Sequence, residues 1–317
     1  MLTRKISSIF VFTWLVIGSH SVFAAQIVQQ ARPVEDFNIS SSETVSLNFD
    51  FSDSSNVSGF GLVTDWTAVV SDGGGFEPWA LDLRVNAMAP SGASLIWDPI
   101  GGDITTADYP LADYSPTYST PQSGGQYTLD FSTPGVRSPY VSGLRNTTVY
   151  SLQQVPDVVS EYDGSVASGP MWNRPFFIEG ISGLGPVVYD VLPFTVSESG
   201  SYSFESVLPS GDRNFTFLYR GAFDPDSPLD NLLDYGLGNG SAQNGTPRGT
   251  SLIESLLLEG EDYFYITSQF ERFIPGRDFE TTIVGPAVLQ MPRSGDFNMD
   301  GNYDCTDLDL LYAEIEA

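Results

Sequence analysis

Lysine and histidine are almost missing from this chain, and cysteine occurs once, as Cys305. Lys5 and His20 are the lone members of their types and both precede Gln26, so every basic residue beyond that point is an arginine. Without histidine in the body of the protein there is no Ser-His-Asp or Cys-His catalysis, no His-ligated zinc and no HExxH protease. Without lysine there is no Schiff base and no Walker-A phosphate contact. Positive charge is scarce overall: 13 basic residues face 40 acidic ones, a formal charge of −27. Such a surface repels phosphate backbones, so nucleic acid is excluded as a partner and calcium is favoured. Long apolar runs are also lacking. Ile6 to Ile17 is too short to span a bilayer, and no later stretch reaches ~18 apolar residues.

What is present begins with export. Arg4 and Lys5 precede that short apolar stretch, and Val22-Phe23-Ala24 suits a cut before Ala25, so residues 1–24 read as a secretory signal peptide. Membrane contact is then expected only during export. An exported protein with one cysteine cannot rely on disulfides, so core size and a bound metal must stabilise it. Five Asn-x-Ser/Thr sequences begin at Asn38, Asn56, Asn146, Asn214 and Asn239; in a chain so rich in Asn, Ser and Thr they are read as coincidental.

The length of 317 residues allows about two domains at ~150 residues each, and a hydrophobic content of 41% rules out wholesale disorder. Alternation over short runs bounded by Gly, Pro, Asp and Ser dominates. Val45-Leu47-Phe49-Phe51, Tyr127-Leu129-Phe131, Tyr202-Phe204, Phe215-Phe217-Tyr219 and Tyr263-Tyr265 each step by two, the period of half-buried strands. With 31 Gly and 21 Pro, this predicts an all-β protein of two antiparallel, jelly-roll-like β-sandwiches. The first is expected over 25–155, with 25–44 as a polar leader or edge segment, and the second over 174–290. A Pro-, Ser- and Gly-rich linker is placed at 156–173, where proteolysis should cut first. Ser251–Leu258 is read as one or two helical turns.

In the first block, Ala80-Leu81-Asp82-Leu83-Arg84-Val85 runs into Ala89-Pro90-Ser91-Gly92 and then Leu95-Ile96-Trp97, which predicts a strand, a turn and a second strand. This hairpin resembles that of the P-type β-sandwich domains appended to secreted subtilisin-like proteases, and Gly125-Gln126-Tyr127-Thr128-Leu129 is similar to their closing strand. In the second block, Ser199-Gly200-Ser201-Tyr202-Ser203-Phe204, Asn214-Phe215-Thr216-Phe217-Leu218-Tyr219 and Leu258-Glu259-Gly260-Glu261-Asp262-Tyr263-Phe264-Tyr265 occur in the order of the prepeptidase C-terminal β-sandwich family, which they resemble. Both resemblances imply accessory modules of extracellular enzymes, without an active site.

Carboxylates also raise a glycosidase reading, which needs two of them across a cleft. Glu77, between Phe76 and Pro78-Trp79, is the best placed, because apolar neighbours raise a carboxyl pKa. Asp82, Asp98 and Asp103 are its possible partners, with Trp79 and Trp97 as platforms for sugar rings. The abundance of acids makes chance pairs common, and aromatics at period two are normally sandwich core. No catalytic residue is assigned.

The C-terminus differs in kind. Asp296-Phe297-Asn298-Met299-Asp300-Gly301-Asn302-Tyr303-Asp304-Cys305-Thr306-Asp307 fits the twelve-residue calcium loop position by position. Oxygen ligands fall at Asp296, Asn298, Asp300 and Asp304, the Asn302 carbonyl supplies position 7, and Gly301 takes the sharp turn. Asp307 closes the loop where Glu is usual, and its shorter arm must draw the following helix closer. Leu308, Leu311, Tyr312 and Ile315 recur at helical spacing after it, while Pro286 and Pro292 bar a helix before it. A loop followed by a helix, with none before it, resembles the half-EF-hand of dockerin type I repeats. That resemblance implies calcium as cofactor and a cohesin-like partner. Two departures stand out: Cys305 and Thr306 replace the commoner Ser-Thr, and one repeat is present where dockerins pair two. Either a second repeat lies past Ala317, or the lone repeat over 294–317 ties the tail down. The sequence therefore leads to a secreted, non-catalytic, calcium-binding protein with an adhesion or scaffolding role at the cell surface or matrix, with extracellular polysaccharide as a candidate partner. Its rival is a dockerin-bearing polysaccharide-degrading enzyme or carbohydrate-binding component.

Overall fold

The computed structural model describes residues 24–40, 43–69, 82–98, 100, 109–134, 141–176, 180–209, 211–238, 246–271 and 277–291. The expected signal segment, calcium loop and C-terminal helix lie outside these residues, apart from Ala24. Within them the protein is all-β and antiparallel, as the alternation required. The first half holds β1 (Gln26–Pro33), β2 (Phe37–Ser40), β3 (Thr44–Asp50), β4 (Gly59–Val69), β5 (Arg84–Met88), β6 (Ser94–Trp97), β7 (Tyr109–Tyr114), β8 (Gln126–Ser132) and β9 (Val141–Gln154). The second holds β10 (Val158–Ser165), β11 (Met171–Trp172), β12 (Pro175–Phe176), β13 (Gly180–Ile181), β14 (Val187–Val196), β15 (Gly200–Val207) and β16 (Asn214–Arg220). It ends with β17 (Leu232–Gly238), β18 (Thr250–Leu257), β19 (Tyr263–Ser268), β20 (Asp278–Gly285) and β21 (Leu289–Gln290).

One nine-stranded sheet, in the order β10-β20-β15-β1-β9-β4-β7 with β18 beside β15 and β2 beside β9, runs through both halves. A four-stranded sheet, β3-β8-β5-β6, covers one face of its first half. Trp66, Phe60, Leu62, Phe131, Tyr127, Trp97 and Leu144 fill the space between them. A six-stranded sheet, β11-β14-β19-β16-β17 with β21, packs on the second half around Phe194, Phe204, Tyr263 and Tyr265. The strand that steps Tyr127-Leu129-Phe131 buries all three of those side chains and leaves the intervening ones at least partly exposed, as a half-buried strand should. The β5–β6 hairpin closes with the Gly92 N–H donating to the Ala89 carbonyl, and Gly92 supplies the left-handed φ of +84° that the turn needs.

Three expectations are corrected. Residues 25–44 are no loose leader: β1 pairs with β9 from Gln26↔Gln154 to Pro33↔Thr148, and Ile27 faces Gly200 of β15 on its other side. Its polar side chains concealed a strand whose place is fixed by main-chain bonds on both edges. The linker at 156–173 contains β10, which pairs with β20 from Val158↔Gly285 to Ser165↔Asp278. Pro156, Gly169 and Pro170 only punctuate its ends. Finally, the segment read as helix at Ser251–Leu258 is strand through Leu257. β18 lies along β15 from Gly200↔Leu257 to Val207↔Thr250, and this ladder overrides the local preference of a leucine-rich segment.

The halves also share a core. Ala112 and Tyr114 of β7 and Tyr150 and Leu152 of β9 join the cluster built by the second half. The Ser255 hydroxyl donates to the Ala112 carbonyl across that seam at 3.1 Å. A chain whose central sheet and second core both cross the midline should unfold as one unit. Calorimetry is expected to show a single transition with equal calorimetric and van't Hoff enthalpies; two resolved transitions would contradict the shared core.

Candidate functional site

The acidic group proposed around the β5–β6 hairpin does not assemble into a cleft among the described residues. Trp97 points inward, 3% exposed, and its indole N–H donates to the Asp113 carboxylate at 3.1 Å. It is therefore a core residue and no platform for a sugar, because alternation along β6 turns Leu95 and Trp97 to the same buried face. Asp98 pairs with Arg84 across the hairpin. Asp82 sits half-buried at the entry to β5. Glu77, Trp79 and Asp103 lie outside the described residues.

Asp296, Asn298, Asp300, Asn302, Asp304 and Asp307 also lie outside them. The described chain approaches that loop through β21, where Gln290 and Leu289 pair with Thr195 and Val196 of β14. Among the described residues no group of three or more His, Cys, Asp or Glu could hold a metal ion. Of the described Asn-x-Ser/Thr sites, Asn214 is fully buried and spends its amide on the Ser206 carbonyl and hydroxyl. It cannot carry a glycan in the folded protein.

The strongest side-chain constellation is one the sequence reading passed over. The outer face of the six-stranded sheet carries Trp172, Tyr189, Phe215, Phe217 and Tyr219, with Phe223 and Phe270 packed against them. Trp172 meets Phe217 edge-on at 5.4 Å and Phe223 at 5.5 Å, and its indole N–H donates to the Ser268 hydroxyl at 3.0 Å. Arg174 is fully buried in this cluster. Its guanidinium lies 4.2 Å from the Phe215 ring centroid and 5.4 Å from that of Phe270. It donates to the Phe270 carbonyl from Nε and Nη2, at 3.1 and 2.9 Å, and to the Pro175 carbonyl from Nη1 at 2.9 Å. Burial pulls its pKa down to about 10, which still leaves it charged at neutral pH. A cation whose donors are engaged by carbonyls and whose faces are covered by rings works as a clamp between residues 174–175 and 270. Arg213 stacks on the same Phe270 ring at 4.2 Å. No period or motif marks Arg174 in the sequence; the one available signal is the pairing of an isolated arginine with a neighbouring proline in an aromatic-rich run.

A second carboxylate stands at the seam between the halves. The Tyr114 hydroxyl donates to Glu254 at 3.4 Å, and desolvation raises the Glu254 pKa while that hydrogen bond lowers it. Asp113, next in the chain to Tyr114, is the acceptor for Trp97 described above.

No family model and no curated protein matches this chain. Among solved structures it is similar to the STIV MCP at 8% identity and a TM-score of 0.23, covering 82% of this chain and 98% of that one. It is similar to a turret protein in Sulfolobus turreted icosahedral virus at 10% identity and a TM-score of 0.21, with 82% and 100% covered. It is also similar to the N-terminal CBM22-1-CBM22-2 tandem domain from Paenibacillus barcinonensis Xyn10C, at 9% identity and 0.25, with 85% and 100% covered. At TM-scores of this size the likenesses bear on neither its detailed topology nor its function.

Proposed function

We propose that this is a secreted, calcium-binding β-sandwich protein that works by binding and not by catalysis, in adhesion or scaffolding at the cell surface or matrix. The observation that carries the reading is the loop from Asp296 to Asp307. Its all-oxygen ligand set, glycine at the turn and following apolar helical stripe meet the demands of calcium together. Its partner would be a cohesin-like protein or an extracellular polysaccharide. The accessory-module resemblances of the two sandwiches agree with that role.

Calcium should order the tail. Without the ion, Asp296, Asp300, Asp304 and Asp307 repel one another, and a helix over 308–317 is shorter than the ~12–15 residues that hold alone in water. Titration calorimetry on the full chain is expected to find one site, lost at least a hundredfold in affinity when Asp296→Ala and Asp307→Ala are combined. Amide exchange at 296–317 should slow on adding calcium and stay fast in the double variant. Equal protection with and without the ion would refute the site. Release of reducing sugar from a bound polysaccharide would replace the binding role with the rival one, a dockerin-bearing polysaccharide-degrading enzyme.

A further inference from the structure

We infer that the mature chain begins at Ala25 and that the new α-ammonium is held by the Asp157 carboxylate, which locks the first residue of the protein into the seam between its halves. The inference rests on the export reading and goes beyond it. Ala25, the first residue after the expected cut, is 3% exposed. Its nitrogen donates to Asp157 Oδ1 at 2.7 Å, the short separation of charge-assisted N–H···O⁻ bonds. Its carbonyl accepts from the Val155 N–H at 2.8 Å. Next to it, Gln26 is fully buried, with its N–H on the Ser201 hydroxyl at 2.8 Å and its side-chain amide on the Ser115 carbonyl at 3.2 Å. Order of this kind usually fades toward a chain end. Here the residue that the Val22-Phe23-Ala24 pattern exposes by cleavage is buried and bonded through both its nitrogen and its carbonyl.

An open groove of about 570 Å³ is lined by Ala24 on one side of the expected cut and by Gln153, Gln154, Pro156 and the Asp157 acceptor, among others. The cleavage itself is a hydrolysis by a signal peptidase. The Ala24–Ala25 amide bond breaks, the water oxygen ends in the Ala24 carboxylate, and its hydrogens leave the Ala25 nitrogen as an ammonium. A neutral peptide N–H on Asp157 is thereby exchanged for a full positive charge on the same acceptor, a stronger bond in the same place. Asp157 opens the turn into β10, so one ion pair would tie β1, β9 and the β10–β20 edge together.

The missing lysines make this directly measurable. With Lys5 removed in the signal segment, the Ala25 ammonium is the only primary amine of the mature chain. Full-length precursor is expressed in a secreting host, and the exported protein is weighed intact and treated with an amine-acetylating reagent at neutral pH, folded and in urea. The expected mass corresponds to residues 25–317, with a single acetyl acceptor. Acetylation in the folded state should be at least tenfold slower than in urea, because the Asp157 carboxylate holds the ammonium and retains the proton that must leave. Asp157→Asn should speed folded-state acetylation several-fold with an unchanged circular dichroism spectrum. A different first residue, or a folded rate equal to that in urea, overturns the inference; so does an Asp157→Asn rate equal to wild type. Retention of the whole precursor in the cell, with Lys5 and Met1 both acetylated, overturns the export reading as well, which separates the two failures.

Discussion

Arg174→Ala should lower the unfolding free energy by about 4 kcal/mol, the largest loss expected from truncating any polar side chain described here. The change removes three donors at once. The buried Pro175 carbonyl and the partly buried Phe270 carbonyl, which accept from Nη1 and from Nε and Nη2, would lose these donors, at ~1–3 kcal/mol for such groups. It also opens a space between the rings of Phe215 and Phe270, adding a cavity cost of the kind seen for large-to-small core changes. Arg174→Met separates the two contributions, since it keeps volume and loses only the donors. A deficit of about 2 kcal/mol is expected for it. Arg174→Lys should fall between, because an ammonium lacks the planar fork that bridges Nε and Nη2 to one oxygen and covers two rings. Urea unfolding of the full chain measures all three. A deficit under 1 kcal/mol for Arg174→Ala would mean that water or a neighbouring group satisfies those carbonyls, and the clamp would be discarded.

Arg174 also shows where sequence reading stops. Strands such as Tyr127-Leu129-Phe131 were legible because burial on one face leaves a two-residue period. The β16 segment Asn214–Arg220 is buried on both faces, with Phe215, Phe217 and Tyr219 on one cluster and Leu218 on the other. Its period was visible only because the outer face happens to be aromatic and the inner one mostly Asn and Thr. The outer face is covered by residues distant in sequence, and a covering residue such as Arg174 has no period of its own. β1 was missed for a related reason. The polar run holding Gln26, Gln29 and Gln30 read as a leader or edge segment, yet Gln26 is buried with bonds to Ser201 and Ser115, which no local pattern announces. The misread β18 carries its evidence in its partner: Ser251, Ile253, Ser255 and Leu257 point to the buried face only once β15 lies alongside. In the proposed calcium loop the logic is reversed. Its ligands lie within twelve consecutive residues, so the sequence alone spells out the whole candidate site.

Gly200→Val should cost about 3–4 kcal/mol and act at the seam rather than within either sandwich. A Cβ at Gly200 would stand 2.1 Å from the Gln26 carbonyl oxygen and 2.8 Å from Pro286 Cγ. The first obstacle is backbone of β1, held by its ladder to β9, and cannot rotate away. Relief therefore requires β1 to move off β15, which gives up the Ile27↔Gly200 pairing and the bond from the Gln26 N–H to Ser201. The Val28 N–H on the Ser199 carbonyl, at 2.8 Å, is strained by the same movement. Two other glycines calibrate the result. Gly183→Ala meets nothing within 4 Å and should stay within about 0.5 kcal/mol of wild type, as open surface sites do. Gly92→Ala also meets nothing, but its φ of +84° forces a side chain into the left-handed region, at a cost of about 1 kcal/mol. Chemical unfolding of the three variants should thus rank them Gly183, Gly92, Gly200 in increasing loss. Because β1 is the strand through which the nine-stranded sheet crosses from one half to the other, Gly200→Val should also loosen the Ala25 anchor. Folded-state acetylation of its α-amine is expected to rise toward the rate in urea, while Gly183→Ala leaves it slow. A Gly200→Val protein as stable as wild type would show that β1 and β15 do not press together at this point, and that the shared core alone joins the halves.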